Sequence, residues 1–103
     1  MRGMQDMLRQ AQMMQKKMSN MQEELKTREV EASAGGGMVT VKVTGGMEVR
    51  SITIDKRVVE AGDVEMLQDL VLTAVADAIK KAKTLGEEEM AKITGGIKIP
   101  GMF

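Results

Sequence analysis

Seven apolar residues near the start of the chain, Met4, Met7, Ala11, Met14, Met18, Met21 and Leu25, follow one another at spacings of 3, 4, 3, 4, 3 and 4. That is an unbroken a/d series across three heptads, a narrow seam suited to a partner helix more than to a broad globular face. The stretch 3–27 is rich in Gln, Met, Lys, Glu and Leu, and no Pro or β-branched residue interrupts it before Thr27, so it reads as one long helix. A helix of 25 residues is about 37 Å long, longer than the roughly 30–35 Å diameter of a compact chain of this size. Part of it must therefore project or pack on another chain.

The period changes after Arg28. Val30 and Ala32 alternate with Glu29, Glu31 and Ser33, and Gly35-Gly36-Gly37 then breaks the run. Met38 to Thr44 alternates more clearly, with Val39, Val41 and Val43 on one face. Gly45-Gly46 reads as a two-residue hairpin turn. Met47 to Asp55 returns with Ile52 and Ile54 inward; Val49 is out of phase with them, which predicts a bulge near Arg50-Ser51. Residues 28–55 are thus expected to form a three-stranded antiparallel sheet, whose edges need to be managed.

Asp55 to Gly62 reads as a connection, and Asp63 as the N-cap of a helix over 64–94 with Glu65 in its first turn. Its apolar stripe is Leu67, Leu70, Val71, Ala74, Val75, Ala78, Ile79 and Ala82, resuming at Met90 and Ile93. Gly86 weakens it by about 1 kcal/mol relative to Ala, which leaves two readings: one kinked helix, or two helices split there. Gly95-Gly96 stops it, and 95–103 reads as a flexible tail. The fold class is α+β in a single domain over 1–103, and both the long helix and the open sheet edges point to a homodimer with projecting helices.

Composition narrows the function. The 103 residues contain no His, Cys, Trp or Tyr, and Phe103 is the one aromatic residue. Zinc fingers, thiolate nucleophiles, disulfide frameworks and Ser-His triads are excluded, and Ser19, Ser33 and Ser51 lie in no elbow motif. Base-stacking platforms for single strands are lost with the aromatics. An enzyme is not expected, nor a cofactor, a metal or a small-molecule substrate. No apolar run reaches the length of a membrane span or a signal h-region, so no membrane partner is expected and the cytoplasm is the default.

The net charge is zero, from 15 basic and 15 acidic residues, but it is unevenly distributed. Residues 1–28 carry a net +3 and the remainder a net −3. Arg2, Arg9 and Lys16 recur every seven residues opposite the seam, with Lys17 beside them, a line about 21 Å long that could follow phosphates. Lys80, Lys81 and Lys83 form a second cluster; solvation is the plain alternative for both. The twelve methionines admit a groove for apolar helices or a soft-metal site, but heptad placement makes Met4, Met7, Met14, Met18 and Met21 seam fillers; Met13 lies off the seam. Glu87-Glu88-Glu89 diverge around a helix and cannot converge on one ion. Gly35-Gly36-Gly37 has neither the lysine nor the following helix of a phosphate loop.

The order of segments carries a resemblance. Gln10 to Leu25 leads to the Gly-rich turn, then Val39-Thr-Val-Lys-Val-Thr-Gly45, Ile52-Thr-Ile-Asp55, Glu65-Met-Leu-Gln-Asp-Leu-Val71 with Ala74 to Ala78, and Glu89-Met-Ala-Lys-Ile-Thr-Gly-Gly96. This succession resembles the YbaB/EbfC family of bacterial nucleoid-associated proteins over nearly the whole chain. Ala76, where relatives often have Asn, and Gly86 depart from the usual pattern. The resemblance implies a homodimer whose helices project like tweezers from a joined sheet, and which binds duplex DNA in the cytoplasmic nucleoid. DNA contacts on projecting helices would fall to Arg2, Arg9, Lys16 and Lys17, and to Lys80, Lys81 and Lys83. The seam of Met4, Met7, Met14, Met18, Met21 and Leu25 would join the dimer or a partner. The rival expectation is a protein-interaction module that uses this Met-rich seam.

Overall fold

Burial of alternate small and β-branched residues builds the body of the protein. In the computed structural model, which describes residues 3–95, the order is α1 (Gly3–Leu25), β1 (Glu29–Ala34), β2 (Val39–Thr44), β3 (Val49–Ile54), α2 (Lys56–Glu60) and α3 (Val64–Thr94). The sheet is antiparallel in the order β1-β2-β3. Val39, Val41 and Val43 of the central strand are fully buried, together with Ala32 and Ala34 of β1, beneath Ala74, Ala78 and Ala82 of α3. The alanines recur every four residues along one helix face, and with no bulk beyond Cβ they let α3 approach the valine ridge closely.

Two turns organise the sheet. Gly35, Gly36 and Gly37 all adopt left-handed φ (65°, 68° and 93°), which side chains resist and glycine accepts freely. The second hairpin corrects the two-residue Gly45-Gly46 reading. Thr44 carbonyl accepts from Met47 N–H, and Thr44 N–H donates to Glu48 carbonyl, closing a three-residue loop with Met47 at φ 67°. Gly45 lies against the end of α1: a Cβ there would stand 2.8 Å from the Leu25 carbonyl oxygen, a backbone atom that cannot swing aside.

The expected bulge is present. Lys42 pairs with Ser51 and Val43 with Val49, so Arg50 is the extra residue. Its insertion returns Val49 to the face shared by Ile52 and Ile54. That face is the helix side of the sheet, but α3 lies over β1 and β2 only, and all of β3 is exposed. Ile52 and Ile54 therefore face inward without being covered, 47% and 37% exposed.

The connection from Asp55 contains a short helix that sequence reasoning passes over. Asp55 caps α2 by accepting from Arg57 N–H at 2.8 Å, and Val58 is buried beneath it. Asp63 caps α3 as expected, accepting from Met66 N–H at 3.0 Å. From there α3 is one continuous helix through Gly86 to a left-handed Gly95 cap. Nothing beyond the helix's own backbone lies within 4 Å of a Cβ built on Gly86. Gly86→Ala is accordingly expected to stabilise the protein by about 1 kcal/mol, read as a rise in thermal midpoint.

Beyond the sheet, α1 and α3 form a second core of Met21, Leu25 and Met90, flanked by Met18, Leu85 and Ile93. The end of α1 sits at the sheet, against Gly45, whereas α3 leaves the sheet after Ala82. The two helices therefore run antiparallel as an arm. The protein measures 73 × 22 × 17 Å, and its radius of gyration of 19.3 Å exceeds the ~13 Å of a compact chain of this length. Arg2 and the part of the expected tail from Gly96 to Phe103 lie outside the described residues.

Candidate nucleic-acid interface

Five cations among the described residues hold a carboxylate: Lys26 with Glu23 (3.1 Å), Arg28 and Lys92 with Glu89 (2.9 and 3.0 Å), Arg50 with Glu48 (3.7 Å) and Arg57 with Asp55 (3.0 Å). Arg9, Lys16, Lys17, Lys80, Lys81 and Lys83 have no carboxylate within ion-pair distance among the described residues, and all six are exposed. Six of the seven cations singled out in the sequence are thus ones without a carboxylate partner among the described residues; Arg2 lies outside them. Lys42 and Lys56 are also unpaired among the described residues, and the sequence reading does not single them out. The alternation Val41-Lys42-Val43, which turns Lys42 off the core face, is the signal that could have found the first of them.

Arg9 and Lys16 stand on the side of α1 opposite the seam, seven residues and about 10 Å apart along the axis. Lys17 lies lower on the arm, in a groove between α1 and α3 lined also by Asn20, Glu24, Glu89 and Lys92. The α3 cluster is divided. Lys80 and Lys81 border a shallow depression beside Val30, Thr84, Leu85 and Glu88. Lys81 Nζ donates to the Glu31 backbone carbonyl at 2.9 Å, which ties α3 to the edge strand β1 and holds that ammonium in place. Lys83, two residues further round the helix, is turned away from this depression. The structure therefore sets these cations in two places, one on the arm and one at its base, with carboxylates beside both: Glu24 and Glu89 near Lys17, and Glu88 near Lys80 and Lys81.

The arm is pinned to the sheet by a charge triad. The Glu89 carboxylate accepts from Lys92 within α3 and from Arg28 at the entrance to β1. The Lys92 hydrogen bond, then that of Arg28, holds its pKa below the ordinary carboxylate value. A lowered folded pKa means that the contribution to stability is present above the unfolded value and is lost as pH falls through the folded one. Acidification below about pH 4 is expected to loosen the arm, and Glu89→Gln to flatten that part of the pH dependence of thermal unfolding. A midpoint profile identical to that of the unsubstituted protein would contradict this.

The seam is divided as well. Met18, Met21 and Leu25 are spent within the chain against α3, whereas Met4, Met7 and Met14 remain exposed. The heptad period shows that a helix is met; it does not show that the helix belongs to the same chain. Among the described residues no cluster of carboxylates fit to hold a metal ion occurs, and no helix is long and apolar enough to cross a membrane.

These features define a class: a small α+β body carrying a helical arm with exposed cations that hold no carboxylate among the described residues. The chain belongs to the YbaB/EbfC DNA-binding family, which it matches over residues 1–97. It is 53% identical over 101 residues to a nucleoid-associated protein of Alkaliphilus metalliredigens, covering 98% of this chain and 89% of that one. It is 54% identical over 99 residues to a nucleoid-associated protein of Acetivibrio thermocellus, covering 95% and 88%. Its fold is similar to the crystal structure of an uncharacterized protein of Helicobacter pylori, with a TM-score of 0.73, 27% identity, and coverage of 82% of this chain and 89% of that one.

Proposed function

We propose that this protein is a nucleoid-associated protein that binds duplex DNA as a homodimer, with little sequence preference. Arg9, Lys16 and Lys17 on α1, with Arg2 placed in line by the heptad, contact phosphates, and Lys80, Lys81 and Lys83 on α3 add to the field. The observation that carries this reading is the set of exposed cations left without carboxylate partners inside a family of DNA-binding proteins. Phosphate neutralisation by such side chains supplies affinity without base readout. With no aromatic residue among 3–95, no aromatic side chain there is available to stack on an unpaired base, which favours duplex over single strand.

The exposed edge strand of the sheet supports the dimer. Val49, Ile52 and Ile54 lie on the helix side of β3 and remain partly exposed among the described residues, and β3 is an edge strand. Leu70, which touches the β1–β2 turn, and Lys81 mark the β1 flank of α3. Val75 and the exposed Ile79, on the opposite flank, look over β3. A second copy joined through β3 covers this strip and satisfies the open edge. Two arms then project from one sheet, and every cationic zone occurs twice.

The exposed methionines of α1 favour one other reading, a module that engages a partner helix and for which DNA affinity is incidental. Titrating the protein at low salt against equal-length duplexes of unrelated sequence tests the main proposal. Affinities within a few-fold of one another are expected. A single preferred duplex bound hundreds of times more tightly would contradict readout confined to the backbone, and no binding to any would leave the interaction module.

A further inference from the structure

Apolar side chains on the first three turns of α1 stand exposed among the described residues. Met4 and Met7 are 77% and 70% exposed, and Leu8 and Met14 are exposed beside them. Met4, Met7 and Met14 continue, in the same heptad register, the seam that packs Met18, Met21 and Leu25 on α3. An isolated helix of about 12 residues is marginal in water, so a segment of this length gains from a partner along its apolar stripe.

We propose that residues 4–14 of α1 form a self-association surface, taken antiparallel by the same residues of a second copy and joining homodimers into larger assemblies. This goes beyond the dimer proposed above and rests on it, since each dimer would carry two such arms. The occupant follows from the seam itself. Asp6 and Arg9 are the only charged residues among 3–15, a net charge of zero, so two copies meet without repulsion. The flanking heptad positions are Gly3, Leu8, Gln10 and Gln15, which carry no charge to specify a foreign partner. Antiparallel pairing sets Met7 beside the small Ala11 and Met4 beside Met14. Parallel pairing would face Ala11 with Ala11 and leave a gap, and would align the helix dipoles unfavourably. Arg9, opposite the seam, stays free on the outer face.

Three turns bury less than the ~1,000 Å² that a stable interface needs, so the association is weak singly and gains from two arms per dimer. Sedimentation velocity of the full chain, without DNA, tests it. Mass is expected to rise beyond the dimer with concentration, and to stop at the dimer in Ala11→Glu, an exposed position where Glu keeps the helix. In Ile52→Asp, association is expected to stop at pairs held by the seam. Since the chain has no cysteine, a mixture of Met7→Cys and Ala11→Cys chains is expected to cross-link between copies under mild oxidation.

A wild-type protein that remains dimeric at every concentration would overturn this inference and leave the β3 dimer standing. So would Ala11→Glu chains that assemble like the wild type. So would dimers whose Met7 and Met14 resist added peroxide, because another occupant, such as residues 96–103, would then cover the seam. Ile52→Asp chains that dimerise normally while Ala11→Glu chains are monomers would support the seam and refute the β3 joint.

Discussion

Replacing Arg9 and Lys16 together by glutamate is expected to weaken duplex binding roughly ten-fold or more at moderate salt, with the fold and the dimer unchanged. Both side chains are exposed on the outer face of α1 and hold no carboxylate among the described residues, so their replacement breaks no ion pair there. Glutamate is about as good a helix former as Lys or Arg, which keeps the arm intact. In a homodimer four cations become four anions. For every phosphate no longer neutralised, the slope of log K against log salt should become shallower by about 0.9. Lys42→Glu with Lys56→Glu is the matched control: it changes the net charge equally, but on the sheet and α2 rather than on the arm. Equal weakening in the two variants would reduce the effect to net charge and deny the arm a special part in binding.

An effect of similar size is expected at Ile52. Ile52→Asp should break the β3 joint, leaving single chains at dilutions where the weak arm seam is also open, with the circular dichroism of the helices unchanged. The side chain is already half exposed within one protomer and pairs across the sheet with Val41, whose own burial under α3 does not depend on it. Only a second copy brings the carboxylate into an apolar setting, where an unpaired charge costs several kcal/mol. Duplex affinity should fall with the dimer, because two linked arms bind more tightly than one. A variant that sediments as a dimer even at such dilution would place the joint elsewhere.

The long helices and the sheet were legible because their signals are local. Spacings of 3 and 4 over Met4 to Leu25 permit one conformation, and the phase error of Val49 against Ile52 and Ile54 locates a bulge to within a residue. Tertiary coverage is not local. Nothing in the alternation of β3 reveals that α3 stops short of it, so Ile52 and Ile54 read as core. Nor does the seam reveal that its lower half meets α3, because Met21 and Met90 are distant in sequence. The same holds for charge: Arg28 and Glu89 are 61 residues apart, and only folding distinguishes a paired cation from a free one. Gly86 left one helix or two open, and the structure has one, as the propensity cost of a glycine is small beside the packing that holds α3 on both sides of it. The Met47 turn and the α2 helix were missed through turn and cap chemistry, where Gly45-Gly46 and Asp55 each admitted a second conformation.

Whether the free cations of the arm recognise DNA is decided by fluorescence anisotropy of a labelled random-sequence duplex, titrated with the full chain between about 20 and 200 mM salt. Binding that is micromolar or tighter at low salt and falls steeply and linearly on logarithmic axes is the expected result. Binding that is absent at 20 mM salt, or indifferent to salt across the range, would contradict recognition of the phosphate backbone by Arg9, Lys16 and their neighbours.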